Sequence, residues 1–345
     1  MDEVTVIGID LAKSIFEVCL KAADGRVVER RRLKREAFKR FLEKAPRVVV
    51  GLEAGPGAHY WARWLGSRGF AVKVMSPRAV RAYRVGPHKS DALDADAVGE
   101  AAGRAGVRAV AVKSERAQTL QALARVRDRR VAARTRVVNQ LRGLMLEFGI
   151  VAGRNLLAWY PRIAATPAFA GLPERTRLLF DELIEEAREL DRQVGQLDDD
   201  LAGEVKADPV ARLLTSAPGI GPINAAQITA QIVAPDDFGT ARAMSAYLGI
   251  VPRLIASGKT RRLGPITKHG PTELRKGLVL GAQAVITAAL RNPAKSDPLY
   301  DFARKLIAKG KPRNQVAVAV ANKLARIVCV MLQTQQPYNP QHCAA

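Results

Sequence analysis

Residues Val4 to Asp10 form a compact, largely β-branched run, VTVIGID, whose pattern predicts a strand. A second apolar run, 15–20, and a third starting at Val27 flank Ala23-Asp24-Gly25-Arg26, and an Asp-Gly pair between apolar runs signals a hairpin. The pattern then predicts a short helix at 34–44, a buried strand at 47–52 (RVVVGL), a helix at 58–68, a strand at 71–75 and an Ala-rich helix at 91–105. Hairpin strands followed by alternating helices and strands describe a mixed α/β sheet of about five strands.

From residue 115 to 148 the pattern becomes helical and strongly basic. Arg125, Arg127, Arg129, Arg130, Arg134, Arg136 and Arg142 stand there with Asp128 as the one acid among them. A second long helix is predicted over 174–205. Its Leu183, Ala187, Leu190, Val194, Leu197 and Leu201 step by four and three, the spacing of a coiled coil, and it carries the acidic run Asp198-Asp199-Asp200. A hairpin of one basic and one acidic helix is expected, with dimerisation as a further use of the heptads. Pro161, Pro167, Gly171 and Pro173 suit its tip. From Asp208 the chain changes character: LLTSAPGIGPINAAQITAQI, a Gly/Lys/Arg-rich loop over 253–270, helices at 272–290 and 315–332, and a tail expected to fray after Gln333.

Charge narrows the partner. Fifty-five Lys and Arg against 33 Asp and Glu give +22, an excess best used on phosphates with release of their counterions. That names a polyanion and no activity. No uninterrupted apolar run reaches the roughly 18 residues of a membrane span, and the acidic start running into a strand is unlike a signal peptide; a cytoplasmic protein is expected. Cys19, Cys329 and Cys343 are odd in number and widely spaced, against a disulfide framework or a structural zinc site, and Cys19 reads as a core thiol. His88, His269 and His342 lack metal-ligand spacing, and His59 reads as structural.

Four acids carry the candidate chemistry. Asp10 ends the first strand and Glu53 follows a later one, while Asp91 and Asp94 lie three apart on one face of a predicted helix. An acid at the tip of a buried run is costly to hold unless something pairs with it. Such a set suits Mg²⁺, with Mn²⁺ as substitute. Metal ions held there polarise a phosphodiester and stabilise the entering and leaving oxygens. Singly each acid reads as an ordinary strand-end or surface residue; as a set in a basic protein they favour a metal site. Asp96 falls off the shared face and is expected to be solvated.

A first-strand Asp, a Glu after an internal strand and an Asp-x-x-Asp pair on a later helix resemble the tetrad of the RuvC-like, ribonuclease-H-type fold. The sequence is most similar to the DEDD insertion-sequence transposases of the IS-one-ten family, relatives of the pilin-gene invertases. The likeness runs in order through GIDLAK, GLEAG, KSDALDA (Lys89 to Ala95), NQLRGLMLEFG, APGIGPINA and YLGIVPR…SGKT…LGPITKHG, nearly the whole chain. It implies a RuvC-like DEDD domain at 1–112, a helical hairpin or coiled coil at 113–207, a mainly helical C-terminal domain at 208–335 and a flexible tail at 336–345.

In SGKT, Ser257 lies among Arg253, Lys259, Arg261, Arg262 and Lys268. A serine hydroxyl needs activation to act as a nucleophile, and nearby cations stabilise a transferring phosphoryl group. On the residues alone this is a flexible basic loop gripping phosphate, with Ser257 a turn residue. The resemblance reverses that: family members carry a catalytic serine at the matching position, which implies a 5′-phosphoserine intermediate assisted by Mg²⁺. It also implies a structured bridge RNA beside donor and target DNA. A dimeric or tetrameric assembly is expected from the heptads and from the need to act on several strands. Ser245 reads as structural. Gly219 and Gly221 resemble half of a helix–hairpin–helix that admits a phosphate, with a tight helix–helix turn an equal alternative. Arg125, Arg129, Arg130 and Arg134 are candidate nucleic-acid contacts. Two rival readings stay open: a metal-dependent nuclease or junction resolvase using water, and a non-enzymatic nucleic-acid-binding protein.

Overall fold

The five strands expected from the first seventy-five residues pair as one sheet in the order β3-β2-β1-β4-β5. The computed structural model describes residues 3–84, 90–257 and 260–343, with the backbone alone at 257, 260, 342 and 343. It divides into two units, 1–114 and 115–345.

The first unit runs β1 (Val4–Asp10), β2 (Ile15–Ala22), β3 (Val27–Lys34), α1 (Arg35–Lys44), β4 (Val49–Glu53), α2 (Ala58–Gly66), β5 (Ala71–Met75), α3 (Pro77–Arg81) and α4 (Asp91–Gly103). β1, β2 and β3 are antiparallel, whereas β4 lies parallel to β1 and β5 parallel to β4. The β2–β3 turn is the expected one: Gly25 takes φ +87°, a region open to glycine, and Asp24 Oδ1 accepts from the Arg26 amide. On one face of the sheet Ile7, Ile9, Phe16, Val18, Leu20 and Leu52 pack against Phe38 and Leu42 of α1 and Trp61 and Leu65 of α2. The Phe16 ring stacks on Phe38 at 4.3 Å, and Trp61 meets both edge-on.

The other face carries α4. Gly8, Gly51 and Gly99 let it lie against the strands: a Cβ on Gly8 would sit 2.3 Å from the Ala95 carbonyl oxygen, and one on Gly51 2.6 Å from the Ala102 methyl. The Ala-rich composition of α4 therefore serves a close helix–sheet contact. Buried Lys21 of β2 bonds Asp96 (2.7 Å) and Glu100 (2.8 Å) of α4, and Arg30 bonds Asp96 at 2.9 Å. Asp96 is thus paired rather than solvated, because a buried ammonium needs a carboxylate.

The second unit contains α5 (Glu115–Glu147), α6 (Leu156–Ala164), α7 (Pro167–Ala170), α8 (Glu174–Ala207), α9 (Pro209–Leu214), α10 (Pro222–Gln231), α11 (Ala241–Tyr247), β6 (Pro252–Ser257), β7 (Thr260–Ile266), α12 (Thr272–Arg291), α13 (Pro298–Ala308) and α14 (Arg313–Thr334). α5 and α8 form the expected hairpin, joined in antiparallel register by Arg116–Glu204 (3.4 Å), Arg127–Asp198 and Arg134–Asp191. Ala187, Val194, Leu197 and Leu201 are buried within this chain, so the heptads are used in its own packing and carry no separate argument for a dimer. Across the boundary expected near residue 207 packing is continuous: Leu120, Leu201 and Val205 share one core with α10, α12 and α14.

The expected loop at 253–270 is instead largely an antiparallel hairpin, with Leu254 paired to Leu263 and Ser257 to Thr260. Pro252, Gly264 and Pro265 disguised it, yet Leu-Ile-Ala and Thr-Arg-Arg-Leu suit extended backbone. α13 was not anticipated. α14 is long and apolar enough to cross a membrane by length and composition, but here Val316, Val320, Leu324, Val328 and Leu332 are buried in the core of this unit. The tail expected to fray is held: the Tyr338 hydroxyl donates to buried Asp297 at 3.1 Å, and its amide donates to Ser216 Oγ at 2.9 Å.

Candidate active site

Parallel pairing sets the first two acids side by side. The last paired residues of β1 and β4 are Ile9 and Leu52, so the next residue on each strand is Asp10 and Glu53. Both stand at carboxyl ends of neighbouring parallel strands, where open α/β sheets place their ligands. α4 begins over the same end. Ser90 caps it by accepting from the Leu93 amide at 3.3 Å. The helix N-terminus then favours the negative charge of Asp91 and Asp94 in its first turn. The glycine contacts that seat α4 on β1 and β4 bring these acids to the sheet.

Their mutual effect is legible at Asp10, whose carboxyl is pushed up from 3.8 to about 6. Burial is the largest cause, followed by the charges of Asp94, Asp91 and Glu53, with Arg84 acting the other way. All four predicted acids therefore share one electrostatic site. They do not close on a point: among the described residues no three His, Cys, Asp or Glu side chains are grouped to hold a metal ion. A cation of the protein's own stands between them. Arg84 Nε lies 2.9 Å from Asp94 Oδ1 and its Nη2 3.6 Å from Glu53 Oε2. Sequence reasoning missed Arg84, and nothing local in the sequence marks it. Oxygen donors in mutual repulsion, already drawing in a cation, fit a hard divalent metal in charge and donor type. Lys89 and His88 lie outside the described residues.

In the second unit Ser257 is the last residue of β6; Gly258 and Lys259 lie outside the described residues. Arg253, Arg261 and Arg262 are exposed along this hairpin and form no ion pair among the described residues. Its base is tightly fixed. Lys268, at φ +56°, donates its amide to the Gly249 carbonyl at 3.0 Å. A Cβ on Gly249 would meet the His269 carbonyl oxygen at 2.0 Å, and one on Gly270 that of Tyr247 at 1.8 Å. Ser245, the competing serine, is buried and donates to the Asn322 carbonyl at 3.3 Å, a structural role as expected.

The remaining candidates divide. Gly219, at φ +83°, packs on α12, where a Cβ would lie 2.6 Å from the Gly281 carbonyl oxygen, while Gly221 borders open space before α10. Arg134 is bound to Asp191; Arg125 and Arg129 are exposed and Arg130 half-buried. His59 accepts from the Lys113 amide at 3.3 Å, consistent with a structural role, and Cys19 is a buried free thiol. A cavity of about 830 Å³ beside α11 and α14 has Arg242, Lys323 and Arg326 in its wall and touches none of the predicted site residues.

An acid-tipped mixed sheet and a helical unit carrying an exposed cationic hairpin suit an enzyme that acts on a polyanion. Comparison with known proteins supplies the family. A transposase model of the DEDD IS110 type matches residues 7–150, and one described as "Transposase IS116/IS110/IS902 family" matches 211–296. A protein named "Probable family 20 transposase" from Pseudomonas aeruginosa is 39% identical over 97% of this chain and 98% of its own. The "Transposase for insertion sequence element IS1111A" of Coxiella burnetii is 33% identical over 98% and 92%. A "Pilin gene-inverting protein" of Moraxella bovis is 28% identical over 44% of each chain. The chain belongs to the IS110 family of DEDD transposases. The four acids fall inside the first matched segment and Ser257 inside the second.

Proposed function

We propose that this transposase cuts and rejoins DNA through Ser257, with Asp10, Glu53, Asp91 and Asp94 holding Mg²⁺ or Mn²⁺. The serine oxygen forms a bond to the scissile phosphorus as the bond from phosphorus to the 3′ oxygen breaks. The strand is left as a 5′-phosphoserine ester, and the serine's proton passes to the departing 3′-hydroxyl. The reverse exchange with a new 3′-hydroxyl rejoins the strand and frees the serine, so the phosphodiester's bond energy is kept. The bound metal would supply charge stabilisation at the phosphate and the departing oxygen. Arg253, Arg261 and Arg262, with Lys259 and Lys268, offer cations to the phosphoryl oxygens.

The observation that carries this reading is the occurrence in one chain of a mutually repelling acid set and of a serine on a hairpin whose Arg253, Arg261 and Arg262 are exposed and form no ion pair among the described residues, each inside a segment matched to the transposase family. Nucleic acid contacts through Arg125, Arg129, Arg130, Arg134, Gly219 and Gly221, a structured guide RNA, assembly as a dimer or tetramer to act on several strands, and action in the cytoplasm belong to the same proposal. The test is the cleavage rate of a labelled DNA carrying an end of the insertion sequence. Loss of cleavage in Ser257→Ala and without divalent metal is expected. An unchanged rate in that variant makes water the nucleophile and the protein a metal-dependent nuclease.

A further inference from the structure

Arg84 is the one cation that contacts two of the four acids in the described residues. Its side chain is about one-third exposed, whereas that of Asp94 is 10% exposed, so a buried carboxylate is neutralised by a group that solvent can reach. Beside it lies a cavity of about 410 Å³, lined among others by Tyr83, Arg84, Leu93, Asp96 and Glu100. The cavity gives the guanidinium room to leave Asp94 and Glu53. Asp96 and Glu100 in its lining are already paired with Lys21, so the released guanidinium passes to solvent.

We propose that Arg84 is a displaceable counter-ion, which holds the acid cluster when no divalent cation is bound and is exchanged for the cation when one enters. This rests on the metal-binding reading of the four acids. The physical argument is competition. A metal that takes Asp94 Oδ1 and Glu53 Oε2 competes with the guanidinium for those oxygens. Its apparent affinity is then reduced by the fraction of molecules in which the two contacts are closed. Arg84 acts through the acids and is a positioning residue, so the readout is metal affinity in the absence of DNA.

The full chain is titrated with Mn²⁺ by calorimetry and melted with and without it, as wild type, Arg84→Ala, Arg84→Lys and Arg78→Ala. Arg78 is exposed on α3, forms no ion pair with the four acids among the described residues, and controls for the loss of one positive charge. Arg84→Ala is expected to melt lower than wild type without metal and to bind Mn²⁺ roughly threefold to tenfold more tightly. Saturating Mn²⁺ then closes the gap in melting temperature. Arg84→Lys falls between, because an ammonium keeps the charge and loses the fork. Arg78→Ala stays within about twofold of wild type, since exposed, distant charges are screened. If wild type binds Mn²⁺ and Arg84→Ala binds it equally or more weakly, the exchange is wrong and the metal site stands. A gain in Arg78→Ala as large as in Arg84→Ala also overturns the exchange. If neither wild type nor Arg84→Ala binds Mn²⁺, the exchange and the metal site fall together.

Discussion

Asp10 stands on a strand pressed so closely against α4 that a single methyl at Gly8 would meet backbone at 2.3 Å, whereas Ser257 ends a two-stranded hairpin whose Leu254 and Leu263 are 50% and 72% exposed. The acids need a rigid seat, because four like charges brought together by packing would spread apart on a soft one. The cationic hairpin is anchored at its base, through Gly249, Lys268 and Gly270, and Arg253, Arg261 and Arg262 along it are exposed. One region concentrates negative charge, and the other carries exposed positive charge. Their tolerance to substitution should differ in kind.

The largest expected effect is in the open region and concerns chemistry alone. Ser257→Ala should lower strand cleavage by roughly a thousandfold or more, with the circular-dichroism melt unchanged. A large drop in melting temperature would mean that the serine holds the hairpin together. In the packed region Gly8→Val should destabilise the first unit by about 3 kcal/mol, because β1 and α4 must separate. Urea denaturation measures it, and an effect under about 0.5 kcal/mol would show the helix–sheet contact to be loose.

A third prediction turns on pH. The folded-state pKa of Asp10, about 6, lies above its ordinary 3.8, so the folded chain holds a proton that the unfolded chain has released between those values. Stability from this residue is present at low pH and is lost as pH rises from about 4 through 6. Asp10→Asn, which removes the charge, should therefore raise the melting temperature more at pH 8 than at pH 5 while abolishing cleavage. An equal change at both values would show that Asp10 is not repelled by its neighbours. The smallest effect belongs to the hairpin surface: Leu263→Thr should shift stability by no more than about 0.5 kcal/mol, and a larger loss in urea denaturation would reveal hidden packing there.

The sheet was legible in the sequence because β1 and the segment leading into β4 carry β-branched runs, β2 is largely apolar, and the Asp-Gly turn fixes the first hairpin. The positions of the four acids on their elements were legible because strand ends and a three-residue helical spacing are local signals. What stayed hidden depends on contacts between distant positions. Arg84 meets Glu53 and Asp94 only after the sheet and α4 are assembled. Lys21 reads as a strand-end charge until Asp96 and Glu100 come over it from α4. The β6–β7 hairpin was hidden for another reason: its arginines, Gly264 and Pro265 imitate a loop, and exposed strands lack the apolar face that reveals buried ones. α8 shows the opposite error, since a heptad seam records that a helix packs and not that its partner is another chain.

The measurement that bears most directly on a serine nucleophile working with the acid set is peptide mapping, by mass spectrometry, of the complex trapped on a nicked DNA end. The prediction is a single peptide carrying a 5′-phosphodeoxynucleotide on Ser257, absent in Ser257→Ala and in Asp10→Asn. Cleaved DNA bearing a free 5′-phosphate with no protein attached, or an adduct on any other residue, would contradict it.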